Sequence, residues 1–308
     1  MRPGVDDDLE IVIPFHGDLG LLQEAVASVL GQSDPRWRLV VVEDGDQHQG
    51  TAEWIADLAD SRVRHLLNPT NLGICGNFQR CLDVSTSPWV LFLGCDDVLL
   101  PEYVAVVRRA ITNNPHVSAI QPAVQVIDSS SRPINPLADR VKRRLSPRFA
   151  GSCELAGEPL VTSLMRGNWT YFPAICWRRD DIVTAGFRQD LPTVLDLALL
   201  LDLACRGRTL LLLDDVAFGY RRHAASASSL AARSAERFEE EARLFSEVDD
   251  RCRRIGWRSA RRAARRHTTS RLHAGLMMVT SLRGGHLRQA RGAARHAFSS
   301  LPSRPGAA

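Results

Sequence analysis

Four short runs of this chain read as β-rich apolar segments: LEIVIPF (9–15), WRLVVVED (37–44), RVRHLLN (62–68) and PWVLFLG (88–94). Runs of that length, rich in Val, Leu and Ile and bounded by polar turns, predict strands that are apolar on both faces. Between them, 19–31, 50–60 and 73–85 space their apolar residues at i, i+3 and i+4, the pattern of one helix face. Strand and helix alternating in this way predict a mainly parallel sheet with helices on both faces. In such sheets ligands bind outside the carboxyl ends of the strands. The residues just after each run therefore carry the functional information.

Those residues are polar at every strand end. Pro14-Phe15-His16-Gly17-Asp18 closes the first, Glu43-Asp44-Gly45-Asp46 the second, Asn68-Pro69-Thr70-Asn71 the third and Gly94-Cys95-Asp96-Asp97 the fourth, with a helix predicted behind Pro101. Asp and Gly make turns on their own account, and Asp96 suits a helix N-cap. Adjacent carboxylates, however, repel and are costly to desolvate unless a cation or a set of donors faces them. Oxygen ligands of this kind suit a hard divalent ion, Mg²⁺ or Mn²⁺.

Farther along, 128–157 loses periodicity and gains Pro, Ser and Arg, which predicts a long surface loop. A short helix is expected at 158–166, a strand at 171–177, a helix at 193–206 and two β segments at 208–214 and 216–221. Beyond 231 the pattern is helical, with breaks near Gly256 and Gly284-Gly285.

Charge changes the picture of that last region. Residues 251–308 hold fourteen Arg and no Asp or Glu, leaving 25 basic against 35 acidic residues in 1–250. Such asymmetry fits either a tail that meets an anionic membrane surface or a helical pair packed on the body with its Arg face solvated. Nucleic acid is a poor partner, because only Trp257 and Phe298 offer stacking there. The seven cysteines are scattered without a C-x-x-C, which argues against a disulfide framework or zinc knuckle and fits a reducing, cytoplasmic setting. No apolar run reaches the roughly 18 residues of a membrane span.

Taken in order, VIPFHGD, VVVEDGD, NLGICGN, FLGCDDVLLPEYV, GFRQDLPTVLDLALLLDLACRG and YRRHAASASS resemble the family 2 glycosyltransferases of GT-A fold, over about residues 9 to 228. The resemblance implies a Rossmann-like GT-A catalytic domain at 1–228, followed by an Arg-rich helical extension at 229–308. It implies that Asp44 contacts the base or ribose of a sugar nucleotide, with Pro14 and His16 on the adjoining loop and Asn71, Gly73 and Asn77 along the pocket. Asp96 and Asp97 fall on the metal motif, and His223, after Tyr220-Arg221-Arg222, completes the metal or diphosphate site. Asp196 matches the catalytic base; the plain alternative for it is a helix N-cap.

The implied reaction is an inverting, metal-dependent transfer from a UDP-, dTDP- or GDP-linked sugar to a glycan or lipid-linked hydroxyl, with Asp96 and Arg222 among the donor contacts. Polysaccharide and cell-wall biosynthesis is the implied setting, at the inner face of the plasma membrane if the tail binds there. Three positions depart from the family pattern: Gly94 replaces a frequent first Asp, Leu195 a Glu, and Ala198 an Asp. Those departures keep open an inactive sugar-nucleotide-binding scaffold. A nucleotidyltransferase-like enzyme would want a basic Gly-rich loop after the first strand, which PFHGDLGLL lacks.

Overall fold

A computed structural model of the chain describes residues 9–45, 50–222 and 236–298. Its first half follows the expected rhythm: β1 (Leu9–Phe15), α1 (Leu19–Leu30), β2 (Trp37–Asp44), α2 (Thr51–Asp57), β3 (Val63–Asn68), α3 (Gly73–Val84) and β4 (Trp89–Phe92). Next come β5 (Val98–Leu99), α4 (Tyr103–Asn113), β6 (Ala119–Ile127), α5 (Leu137–Leu145), β7 (Ser152–Ala156) and α6 (Gly157–Arg166). A 3₁₀ turn (Phe172–Ala174) leads into β8 (Cys176–Arg178), α7 (Arg179–Val183), α8 (Leu195–Cys205) and β9 (Thr209–Arg221). The chain then continues as α9 (Glu236–Ile255), α10 (Arg258–Arg266), α11 (Thr268–Arg283) and α12 (Leu287–Phe298).

Among the described residues the strands form one mixed sheet in the order β3-β2-β1-β4-β8-β6-β9-β5, with β7 alongside β9. β1 sits between β2 and β4, parallel to both. Alternation explains the layering. Leu9, Ile11, Ile13 and Phe15 of β1, with Leu39 and Val41 of β2, bury under α1 and α4. Val12, Val40 and Val42 face the opposite core, under α3, α6 and α8. Each such side chain contributes about 1.5–3 kcal/mol when fully buried. The mixed sheet with helices on both faces is the predicted architecture.

Four sequence expectations are corrected. β3 is an edge strand and is only partly buried, with Leu67 50% exposed, rather than apolar on both faces. The stretch read as a loop at 128–157 contains α5 and β7, the latter antiparallel to β9. The strand expected at 171–177 is a 3₁₀ turn followed by a three-residue strand. The two segments at 208–214 and 216–221 are one strand, with register shifts against β6 between Gln121 and Val124. There Asp214, Asp215 and Val216 bulge outward and are exposed, which is why the sequence looked broken.

The first two C-terminal helices share the core, whereas α11 and α12 meet α9 in a separate small cluster around Phe238, Ala274 and Ala293. Leu244, Phe245, Val248 and Cys252 of α9 and Ala260, Ala263 and Ala264 of α10 lie in the same cluster as α6 and α8. Arg188, ahead of α8, pairs with Glu247 of α9. The expected boundary at 228/229 lies outside the described residues, as does His223. The expected breaks fall where α9 gives way to α10 and α11 to α12. No helix among the described residues is long and apolar enough to cross a membrane.

Candidate active site at the carboxyl edge of the sheet

Because β1 separates β2 from β4, the two acidic turns flank it at about two strand spacings, roughly 10 Å. The loop after β1 touches both. His16 is exposed, and its Nδ1 lies 3.4 Å from the carbonyl oxygen of Asp44. Its backbone N–H reaches the Cys95 thiol, which burial beside Asp96 pushes up to about 12. Cys95 is thus a packing thiol, and so is Cys75, which burial raises to about 11.

The Asp44 carboxylate is held by two donors. Its Oδ1 accepts from Asn68 Nδ2 at 3.1 Å and from the Leu72 N–H at 2.8 Å. Asn68 also donates to Asn77 Oδ1 at 3.0 Å, and Asn77 Nδ2 donates to the Val42 carbonyl at 3.2 Å. Asn77 therefore stands behind Asp44 as a buried brace instead of lining the pocket surface. Asn71 is exposed and accepts from the Gly73 N–H at 2.8 Å, shaping the turn into α3. Gly45, at φ +78, lets that turn close in: a Cβ there would lie 3.2 Å from the Asn71 nitrogen. Pro14 sits half-buried at the end of β1.

The Asp96-Asp97 turn folds back over Gly94. A Cβ at position 94 would fall 2.6 Å from Asp97 Oδ2 and 3.1 Å from Asp96 Oδ1. A side chain at 94 would therefore require both carboxylates to move from their present positions. Asp97 is buried and accepts the Arg221 N–H at 2.8 Å. Burial first, and then the charge of Asp96, push its carboxyl well above the ordinary range. Asp96 is half-buried beside it.

Arg221 was not singled out by the sequence, yet it organises this edge. Its guanidinium is buried and donates to the Asp96 carbonyl at 2.7 Å, to the Asp128 and Ser129 carbonyls at 3.2 Å, and to Glu24 of α1 at 2.6 Å. A buried guanidinium is tolerable only when its donors are so satisfied. Arg222, the next residue, turns the other way and grips Asp139 of α5 bidentately at 2.9 and 3.1 Å.

Asp139 opens a second polar cluster. It also accepts from Tyr171 OH at 2.9 Å. Although burial opposes it, the Arg222 pairing holds its carboxyl below the usual value. Lys142, one turn on, donates to the Thr170 carbonyl at 2.7 Å and lies 4.3 Å above the Tyr171 ring. Burial, reinforced by Arg222 and opposed by the charges of Asp196 and Asp139, lowers Lys142 to about 8.

Asp196 lies in the first turn of α8, past the N-cap position, which Val194 occupies without a side-chain cap. Its Oδ2 accepts from Asn168 Nδ2 at 3.0 Å. Asn168 is itself fixed, because its Oδ1 accepts from Thr170 Oγ1 at 2.7 Å and from the Thr170 N–H at 3.2 Å. α9 steadies the approach to Asp196, since Glu240 accepts from Thr193 N–H and Oγ1 at 2.7 and 2.9 Å. Leu195 and Ala198, the two departures on this helix, are buried in the core.

The arrangement therefore brings Pro14, His16, Asp44, Asn71, Gly73, Asp96 and Asp97 to one sheet edge. Arg222 links that edge to Asp196 through Asp139 and Lys142. Among the described residues no group of three His, Cys, Asp or Glu side chains is arranged to hold a metal ion. Asp139, Lys142, Asn168, Tyr171 and Arg221 were missed. The one available signal was Lys142, the chain's single lysine.

Comparison with known proteins is consistent with this geometry. The family model of glycosyl transferase family 2 matches residues 10–174, more than half of the chain. The uncharacterized protein MT1568 of Mycobacterium tuberculosis (strain CDC 1551 / Oshkosh) is 26% identical over 223 residues, covering 71% of this chain and 68% of that one. UDP-Glc:alpha-D-GlcNAc-diphosphoundecaprenol beta-1,3-glucosyltransferase WfgD of Escherichia coli is 28% identical over 95 residues, 30% of this chain and 37% of its own. Among solved structures, S. aureus TarS 1–349 in complex with UDP-GlcNAc superposes with TM-score 0.63 at 14% identity, over 94% of this chain and 91% of that one. Its complex with UDP gives 0.58 at 13% identity over the same shares. These likenesses show a shared fold.

Proposed function

This chain belongs to glycosyl transferase family 2, and from that premise we propose that it is an inverting, metal-dependent enzyme with a nucleoside-diphosphate sugar as donor. The observation that carries the reading is the separation of two kinds of carboxylate. Asp44 and the Asp96-Asp97 turn share the sheet edge, whereas Asp196 stands apart on its own helix, aimed by Asn168.

In the proposed reaction the nucleoside lies along Asp44 and the turn of Asn71 and Gly73, with Pro14 and His16 beside it. Asp196 takes the proton of the acceptor hydroxyl as that oxygen attacks the anomeric carbon. The bond from that carbon to the diphosphate oxygen breaks on the opposite face, so configuration inverts and the nucleoside diphosphate leaves. Arg222, pinned by Asp139, brings a fixed positive charge toward the leaving group. The residues present fit a hard cation, because burial and then the neighbouring charge of Asp96 raise Asp97, and an ion beside the pair would favour the charged form against both. Asp96, Asp97 and His223 would hold Mn²⁺ or Mg²⁺, which would take up charge on the departing diphosphate.

The acceptor is proposed to be a glycan or lipid-linked hydroxyl. WfgD, by its name, glucosylates a diphosphoundecaprenol-linked sugar. The Arg-rich region 251–308 is proposed to bring the enzyme to an anionic membrane surface where such acceptors reside. Nucleoside-diphosphate release from UDP-, dTDP- and GDP-sugars in Mn²⁺ tests the reading. Release that requires Mn²⁺ and disappears in Asp97→Ala is expected; metal-independent release, unchanged in that variant, would contradict it.

A further inference from the structure

The outer side of α5 bounds an open groove of about 470 Å³ lined by Arg140, Arg143, Arg144, Arg148 and Phe149 and containing no carboxylate. All four arginines are exposed. Arg143 donates to Asn135 Oδ1 at 2.9 Å, and among the described residues none of the four pairs with an acid. A positive last turn is ordinary at a helix C-terminus, where the macrodipole favours cations, and that covers Arg143 and Arg144. It does not cover Arg140, in the first half of α5, or Arg148, three residues past its end. Arg140 and Arg144 stand at i and i+4, a like-charge pair that disfavours the helix by a few tenths of a kcal/mol. Arginines brought together without an acid form a fork-shaped donor set suited to phosphoryl oxygens.

The groove's position gives it a use. The inner side of the same helix delivers Asp139 to Arg222 and Lys142 to Thr170, next to Asn168 and Asp196. The arginines thus lie across α5 from the side chains that lead, through Thr170 and Asn168, to the group proposed to act on the acceptor. Leu137 and Val141, 72% and 45% exposed, border them on α5. Building on the proposed transferase reading, we infer that this groove is an acceptor-side subsite for a phosphoryl group. That group is carried either by a soluble phosphorylated acceptor or by a lipid headgroup, and it is held while the hydroxyl of the bound acceptor faces Asp196.

The test uses the full chain and R140Q/R144Q/R148Q, whose exposed side chains can be changed without disturbing the core. Two arms separate the sources: inorganic pyrophosphate by calorimetry with UDP saturating the donor pocket, and flotation with phosphatidylglycerol against phosphatidylcholine vesicles. A tenfold or larger loss of pyrophosphate affinity in the triple variant supports a soluble phosphorylated acceptor. A loss confined to phosphatidylglycerol vesicles supports a lipid headgroup. R148Q alone, outside the helix, is expected to give a smaller loss in the same arm. Wild-type protein that binds neither probe, or a triple variant matching wild type in both arms, overturns the inference. Nucleoside-diphosphate release by the wild-type protein separates the two readings, because its absence would sink the transferase reading instead.

Discussion

The two halves of the site are built differently. On the proposed donor side, Asp44 and Asp97 are gripped largely by main-chain groups, the Leu72 and Arg221 N–H, beyond the ends of the two parallel strands that flank β1. On the proposed acceptor side, Asp196 is aimed by a chain of residues, Asn168, Thr170, Lys142, Tyr171 and Asp139, drawn from two separate segments, α5 and the connection at 168–171. Main-chain anchoring fixes a pocket once the sheet has formed, whereas a side-chain network can be reshaped by single substitutions.

Arg221 ties together the edge around Asp96 and Asp97, so its loss should produce the largest structural effect. Arg221→Met strips the donors from Glu24, Asp96, Asp128 and Ser129 at once. Breaking a buried charged network of this kind costs about 3–5 kcal/mol. Thermal denaturation should show a fall of roughly 10 °C, together with weakened donor binding; an unchanged melting temperature would mean that the edge holds without it.

A smaller effect, confined to the acceptor side, is expected from Lys142. Its ammonium loses charge as pH rises through about 8. If that charge helps seat the acceptor, the acceptor KM should climb about tenfold between pH 7 and 9, while donor affinity stays level. Lys142→Arg should flatten the climb. A climb that persists in the Arg variant would assign it elsewhere.

An effect on stability alone is expected in the C-terminal helices. Burial lowers His296 to about 4 and also lowers His267 and His273. Unfolding frees these imidazoles to bind protons at their ordinary pKa, so below about 6.5 the unfolded state takes up more protons than the fold. Stability is therefore intact above that pH and declines as pH falls from about 6.5 to about 4. For His296 alone the loss amounts to at most about 3 kcal/mol. His296→Phe should shrink the decline in a pH series of melting curves; an identical decline would place its origin in other groups.

What the sequence made legible follows the same division. Strand ends in a parallel sheet announce themselves, because a Val- and Leu-rich run must stop where the chain turns; Asp44, Asp96 and Asp97 could be read directly from that. Asn68 was visible only as a turn residue, and Arg221 only as one arginine in a strand, since neither has a local signature. α5 is nine residues long, opens after Pro136 and ends at Ser146. With three arginines and one lysine among those residues, it offers little apolar periodicity. Its fold is decided by Asp139 meeting Arg222 and Tyr171, contacts far apart in sequence. Asn168 lies between α6 and the 3₁₀ turn, where no periodic pattern exists to place it. That a side chain at 94 would displace both carboxylates became visible only in the folded-back turn.

The division of labour rests on Asp196 acting on the acceptor and not on the donor. Asp196→Asn keeps the size of the side chain and removes its capacity as a base. Sugar transfer and nucleotide-sugar affinity measured side by side in this variant test the point directly. The account predicts that transfer falls by about a thousandfold while donor affinity stays within a factor of about two. Loss of donor affinity in step with transfer, or transfer that survives, would contradict it.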